Sequence, residues 1–472
     1  MNKPLNELTI TELAPMLEKK IISPVELTNS VLNQVEKMNG RINAYISVTK
    51  EKALEAAKKA EQEIANGNYR GPLHGIPMGI KDNLYFKDEV TTMGSKIHKD
   101  FIPDKDATAV KKLRDKGVIF TGKLNLDEYA WTARTTNPHH GTCHNPWDLE
   151  RITGGSSGGS GAAVAAHMTI ATLGTDTGGS VRIPASFCGI FSLKPTFGRV
   201  SNFGCFPFSW TCDHIGPMTK NVLDSGYLLE AIAGYDKNDP MSVDKNIESY
   251  TSLSGDIKGL RVGINEDFFF DNVDKDVEKL VRQAVLDLEK QGASIVEVDI
   301  PSISKSSYTL MATIMPESSA VHHDNLISRS DDYDENVKVS LKVGELFSAV
   351  DYIQAQQIRS QLDNEFNEIF KDIDVLITPT LPFLPPKIDE YEVNLNGEIV
   401  SYFDHIPRFT GPFNLLGLPV ANITCGYVRG LPVGMQIVGP AFGEKRVLNT
   451  AYHFEQTHLH LKKDPPFIVT TK

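Results

Sequence analysis

Residues 153–180, TGGSSGGSGAAVAAHMTIATLGTDTGGS, decide how this 472-residue chain is read. The stretch holds two glycine/serine clusters, at 154–160 and 178–180, separated by an alanine-rich apolar segment long enough for a helix and a strand. Glycine lets backbones approach closely and adopt positive φ, and serine supplies a small hydroxyl that acts as nucleophile or donor. A helix and a strand folded between the clusters bring several hydroxyls and N–H groups toward one point. That is the equipment of acyl transfer.

Outward from this stretch, strands alternate with helices along most of the chain. A helix over 106–116 closed by Gly117 precedes a strand at 118–121, and a helix at 164–168 and a strand at 169–173 feed the second serine cluster. The alternation returns as strand 260–264, helix 273–291 and strand 294–298, then as helix 354–370 and strand 375–377. Residues 1–65 read as helical, with apolar positions at helical spacing and Ser23-Pro24 with Glu26 as a helix start. The pattern predicts an α/β fold: one large domain over 1–472 with a mixed, mostly parallel central β-sheet flanked by helices on both faces. The catalytic motifs fall in 66–220, and the polar, proline-bearing stretch 374–404 reads as a surface excursion near the substrate entrance.

Composition narrows the class. With 40% apolar and 23% charged residues, the chain is that of an ordinary globular protein. A formal net charge of −12 speaks against a nucleic-acid surface. The five cysteines are irregularly spaced and form no CxxC pair, so neither a disulfide framework nor a zinc site is expected. The opening MNKPLNELTITELAPMLEKK has no apolar core and no run of about 18 apolar residues occurs, so the expectation is a cytoplasmic protein that does not enter a membrane.

Within the decisive stretch, Thr175-Asp176-Thr177-Gly178-Gly179-Ser180 follows a strand and aims consecutive N–H groups at one point just before a serine. Ser180 is the candidate nucleophile. Its base is sought in Lys81, which ends the apolar strand of Gly79-Ile80-Lys81-Asp82-Asn83. A free lysine titrates near ~10.4, so a base at neutral pH requires a fall of about three units, roughly 4 kcal/mol, through desolvation or a cationic neighbour. Ser156 is placed to relay a proton between Lys81 and Ser180. Asp176 and Arg182 flank the nucleophile and read either as groups that orient it or, equally, as a purely structural ion pair. No metal or organic cofactor is required.

These three motifs, Gly-Ile-Lys81-Asp-Asn, Gly-Gly-Ser156-Ser-Gly-Gly-Ser and Asp-Thr-Gly-Gly-Ser180, together with their spacings, resemble those of the amidase signature family, and the resemblance runs across nearly the whole chain. It implies a mixed central sheet and a Ser–cis-Ser–Lys triad: Ser180 as acyl-enzyme nucleophile, Ser156 as bridging serine, Lys81 as base and then acid. The backbone N–H groups of Thr177, Gly178, Gly179 and Ser180 would form the oxyanion hole, Ser157 would stand behind them, and Tyr129 and Trp131 would line the acyl pocket. The resemblance also implies the activity: hydrolysis of a small linear amide or carbamate, aliphatic or aryl amides and ethyl carbamate among them. One branch of the family supplies the glutaminase subunit of tRNA-dependent amidotransferases, in which an Arg and an Asp hold the glutamine backbone. The corresponding stretches here, 336–340 (NVKVS) and 405–409 (HIPRF), lack that arginine and that acid. A homodimer is the expected assembly.

Competing readings exist for several residues. Gly155-Ser156-Ser157-Gly158-Gly159 also fits the G-x-S-x-G elbow of serine esterases, with Ser157 as nucleophile and His405 or His453 as base. That reading leaves Lys81 and Ser180 idle. His139, His140, Cys143 and His144 are adjacent in a loop, poorly spaced for one tetrahedral metal. Cys188, Cys205 and Cys212 read as packing residues, and Ser302-x-x-Lys305 lies in a polar loop.

Overall fold

The computed structural model describes residues 3–470; residues 1–2 and 471–472, the ends of the expected domain, lie outside them. Eleven strands make the central sheet: β1 (Tyr45–Val48), β2 (Pro77–Lys81), β3 (Ile119–Leu124), β4 (Ala171–Asp176), β5 (Phe191–Lys194), β6 (His214–Thr219), β7 (Arg261–Ile264), β8 (Ser294–Glu297), β9 (Val375–Pro379), β10 (Val420–Val428) and β11 (Leu431–Val438). Their spatial order is β1-β3-β2-β4-β6-β5-β10-β11-β9-β7-β8. Every residue of β2, β3, β4, β6 and β11 is buried, as expected of strands covered on both faces.

Side-chain alternation in β6 shows the two coverings. Met218 packs with Val164 of helix Gly158–Ala165, with Ala185 and Cys188 of helix Arg182–Cys188, and with Val181 just before that helix. Ile215, three residues earlier and so on the opposite face, belongs to the cluster holding Val222, Leu228, Leu229 and Ile232 of helix Val222–Ile232. The helix Lys275–Lys290 buries Val277, Val281, Ala284, Val285 and Leu288, a stripe at helical spacing. Ser23 and Glu26 form the capping box that opens helix Pro24–Ile42. Among the described residues no helix is long and apolar enough to cross a membrane.

The mixed α/β sheet is the expected one, but its pairings lean antiparallel. β3-β2, β2-β4, β9-β7 and β7-β8 are parallel and the other six adjacent pairs are antiparallel. Helix–strand alternation is strongest on the two flanks, which are the parallel parts. The centre is built from hairpins: β10 and β11 are joined by Arg429 and Gly430, both at positive φ (52° and 81°), the geometry of a tight hairpin turn.

Two further expectations need correction. The N-terminal helical region is interrupted by β1, which pairs antiparallel with β3 at the edge of the sheet between helices Pro24–Ile42 and Lys50–Ala65. The 374–404 stretch is not all surface, because β9 lies fully buried inside it. Most of its exposed residues lie between 387 and 399, before and within the hairpin of strands Glu392–Leu395 and Glu398–Ser401, whose Leu395 and Val400 are buried.

Candidate active site

Parallel pairing assembles the site. β2 and β4 run side by side with Ile80 opposite Leu173, so Lys81, at the end of β2, falls next to Gly174 and Thr175 on β4. Their carboxyl ends are where open α/β sheets place reacting groups. The helix expected at 164–168 begins earlier, so the first glycine/serine cluster runs straight into helix Gly158–Ala165. It sits tightly against the sheet: a Cβ on Gly159 would come within 2.5 Å of the Asn125 backbone, so only glycine fits. The Ser157 N–H donates to the Ser180 carbonyl at 3.2 Å, which joins the two clusters.

Lys81 is fully buried. Its Nζ donates to Ser156 Oγ at 2.8 Å and to Thr175 Oγ1 at 2.7 Å, and Asn83 Nδ2 donates to the same Thr175 oxygen at 3.0 Å. Desolvation pushes the amine down to about 7, although the carboxyls of Asp127, Asp176 and Asp213 pull it partway back. The peptide bond between Gly155 and Ser156 is cis. Ser156 and Ser157 have no exposed surface, whereas Ser180 keeps 9% of its own.

The turn carrying Ser180 is shaped by one buried carboxylate. Asp176 accepts the N–H of Gly179 at 2.8 Å and that of Val181 at 3.1 Å. Arg182 grips it with two bonds of 3.0 Å, and Asn414 Nδ2 adds a third at 2.8 Å. The remaining Arg182 donors reach Gln436 Oε1, Asn414 Oδ1 and the Thr410 carbonyl. Burial alone would raise the Asp176 carboxyl, but the Arg182 guanidinium outweighs it and holds the group well below the usual carboxylate range. Gly179 has φ +128°, a left-handed conformation open to glycine, and Thr410 packs against it. Because the Gly179 N–H is committed to Asp176, it is not free for the oxyanion role expected of it. Among the described residues no internal acceptor is found for the N–H groups of Thr177, Gly178 and Ser180.

Replacing Arg182 with methionine is expected to cost about 3–5 kcal/mol of unfolding free energy, because it strands a buried charge. Asp176→Asn in the same chain should recover part of that loss in a denaturant titration. A stable Arg182→Met protein would contradict the account of this pair.

The structure separates the other expected site residues. Ser157 Oγ bonds the Thr175 main chain, donating to its carbonyl at 3.2 Å and accepting its N–H at 3.3 Å, so it braces β4. His405 bonds the Ser401 carbonyl, and His453 bonds Gly255 and Gln291. The elbow reading is left with a fully buried serine and with both of its nominated bases engaged elsewhere. Tyr129 is itself buried: its hydroxyl meets His98 Nδ1 at 2.8 Å and its ring packs among Phe206, His322 and Tyr333, so it supports a wall instead of lining one. Trp131 is half-buried on Phe208, in the cluster with Leu310 and Ile314; Leu310 lies beside Gly178. His139 and His140 turn to different partners, Glu128 and Thr92, and among the described residues no His/Cys/Asp/Glu cluster is arranged for a metal ion.

Three groups escaped the sequence reading. Thr175 is the second acceptor for Lys81. Asp127, buried, accepts the N–H groups of Arg134 and Thr135 and the Thr132 hydroxyl, packing that loop under Gly155. Asp213, pushed up to about 7 by burial, takes the Thr177 hydroxyl on one oxygen and the N–H groups of Phe208 and Ser209 on the other. In the sequence Asp213 directly precedes His214-Ile215-Gly216-Pro217, and that adjacency is the signal that could have found it.

Known proteins match this sequence and this fold. Residues 26–448 match the amidase family. The glutamyl-tRNA(Gln) amidotransferase A-type subunit of Geobacter sp. (strain M21) is 39% identical, with 97% of this chain and 99% of that protein covered. Its counterpart in Listeria innocua serovar 6a is also 39% identical, covering 98% and 99%. Among solved structures, a chain of the vestigial protein complex that reveals the evolutionary origins of an s-triazine catabolic enzyme superposes with a TM-score of 0.92 at 32% identity, covering 96% and 99%. A bacterial aryl acylamidase of the amidase signature enzymes superposes with a TM-score of 0.90 at 25% identity, covering 98% and 99%. The fold and the paired serine clusters therefore define an enzyme that acts on carbon–nitrogen bonds. The chain belongs to the amidase family, and within it to the amidase signature group.

Proposed function

We propose that the enzyme hydrolyses small linear amides or carbamates through an acyl-enzyme on Ser180. The observation that carries this reading is the 2.8 Å bond from the buried Lys81 amine to Ser156 Oγ, with the amine pushed down to about 7 so that its neutral form is populated. Neutral Lys81 draws the Ser156 proton as Ser156 takes that of Ser180. The Ser180 oxygen then adds to the substrate carbonyl, and the N–H groups of Thr177, Gly178 and Ser180 receive the oxyanion. The proton returns through Ser156 to the leaving nitrogen, the amine or ammonia departs, and water cleaves the ester by the same route in reverse. Trp131, Phe208 and Leu310 offer the acyl group a compact apolar wall. No cofactor enters these steps, and we expect the protein to work in the cytoplasm.

A second reading, a glutaminase component, draws on the names of the 39% identical relatives. Against it stand 336–340, which holds no arginine, and 405–409, which holds no acid; Arg408 is paired with Asp271. A panel of short aliphatic amides, aryl amides, ethyl carbamate and glutamine, with released ammonia or amine measured, separates the two. Turnover of amides or carbamates well above glutamine supports the first reading. Turnover of glutamine alone overturns it.

A further inference from the structure

Asp213 stands where the oxyanion turn meets the acyl wall. Antiparallel pairing of β4 with β6 sets His214 opposite Asp176, so Asp213, one residue before β6, falls beside Thr177, one residue past β4. Both side chains are buried. Asp213 Oδ1 accepts the Thr177 hydroxyl, and Oδ2 accepts the N–H groups of Phe208 at 2.8 Å and Ser209 at 3.1 Å. Phe208 packs on Trp131 with ring centroids 4.6 Å apart. One carboxylate thus grips an oxyanion donor residue with one oxygen and the acyl wall with the other.

We infer that Asp213 is a positioning residue that fixes the Thr177 N–H in its oxyanion-binding orientation and keeps that donor in register with the wall at Phe208. The Asp176–Thr177 peptide is trans, so its C=O and N–H point opposite ways. Its carbonyl accepts Asn414 Nδ2 at 3.0 Å, which directs the N–H away from Asn414. On the far side, the Thr177 hydroxyl bound to Asp213 stops the residue from turning. The loop that bears Phe208 gives Asp213 a firm base. Glu317 accepts the Ser209 hydroxyl and both the N–H and the hydroxyl of Thr211, Tyr352 donates to Glu317, and Arg359 donates to Thr211.

The placement matters because, in the acyl-enzyme reading on which this inference rests, negative charge develops on the carbonyl oxygen opposite these donors. Loss of one oxyanion donor costs about 10²–10³ in rate. A donor that is kept but no longer held in place forfeits part of that factor.

Steady-state kinetics with the best substrate of the amide panel tests the inference, read at about pH 9, above the rise expected for Lys81. Thr177→Val removes the hydroxyl and leaves the N–H. It should lower kcat about 30-fold with KM within about twofold, the signature of an interaction used in the transition state. Thr177→Ser keeps the bond. Asp213→Asn keeps it too, its amide donating to the Thr177 oxygen while its carbonyl accepts Phe208 and Ser209, and both variants should stay within about threefold of wild type. Asp213→Ala should match Thr177→Val in kcat, and by freeing Phe208 should raise KM for aryl amides more than for acetamide. Adding Thr177→Val to Asp213→Ala should lower kcat no further, since both act through one bond. Should Asp213→Ala fail to fold, the contrast between Thr177→Val and Thr177→Ser decides the matter. A Thr177→Val enzyme with wild-type kcat, a loss confined to KM, or additive losses in the double variant would overturn the inference and leave the nucleophile in place. Turnover that survives Ser180→Ala would remove the acyl-enzyme reading, and this inference with it.

Discussion

Ser180→Ala is expected to lower turnover by roughly 10⁵–10⁶-fold, the scale on which loss of an activated serine acts in another triad hydrolase. The residual rate would come from the oxyanion donors and substrate binding, which the substitution leaves in place. The fold should barely register the change, because Ser180 is small and retains some exposure, and the turn is braced by Asp176 through the N–H groups of Gly179 and Val181. A slow aryl carbamate should label the wild-type protein by one acyl mass on the peptide containing Ser180, and leave Ser180→Ala unlabelled. Label on Ser156 or Ser157 would reassign the nucleophile.

Lys81→Met should cost at least roughly 10⁴-fold in turnover while making the folded protein more stable. Methionine matches the buried stem without the amine. In the wild type, the fall from 10.5 to about 7 corresponds to about 5 kcal/mol at ~1.4 kcal/mol per pH unit, carried as a destabilisation near neutral pH. The direction follows from proton counting. The folded pKa lies below the unfolded one, so between about pH 7 and 10.5 the unfolded chain binds the extra proton and stability rises with pH. Below about 7 both states are protonated and this contribution stops changing. Lys81→Met should therefore raise the melting temperature at pH 7 and flatten its rise from pH 7 to 10. A variant that is inactive because it is unfolded would show the opposite shift and would leave the base unassigned to Lys81.

Much of this site was legible in the sequence because its parts lie in short, glycine-marked motifs. Lys81, Ser156 and Ser180 stand at strand or helix ends where glycine permits close approach, and a close approach leaves a trace in composition. The supporting groups leave none. Thr175 reaches Lys81 only because β2 and β4 pair in parallel at a particular register, and Asp127 and Asp213 arrive on loops whose path no periodicity records. Gly179 was misread for a related reason: its N–H looked free until the Asp176 carboxylate folded back onto it. At the scale of the fold, helix–strand alternation revealed the parallel flanks. The antiparallel centre is set by hairpins and long-range pairings such as β5 with β10, more than 200 residues apart in the chain. β1 is only four residues long and sits between two helices, too short for an alternation to stand out.

The central claim is that an uncharged Lys81 starts the reaction, and the pH dependence of kcat/KM tests it most directly. Two groups near the site titrate close to 7, Lys81 and Asp213, so the profile must be taken in the wild type and in Asp213→Asn. Activity should rise with pH through one ionisation near 7 in the wild type, because the free enzyme must lose a proton to become competent. Removing the Asp213 carboxylate, which pulls the amine upward, should move that rise to lower pH without abolishing it. A rise that vanishes in Asp213→Asn, or one that appears only above about pH 9 as for an ordinary lysine, would contradict the account.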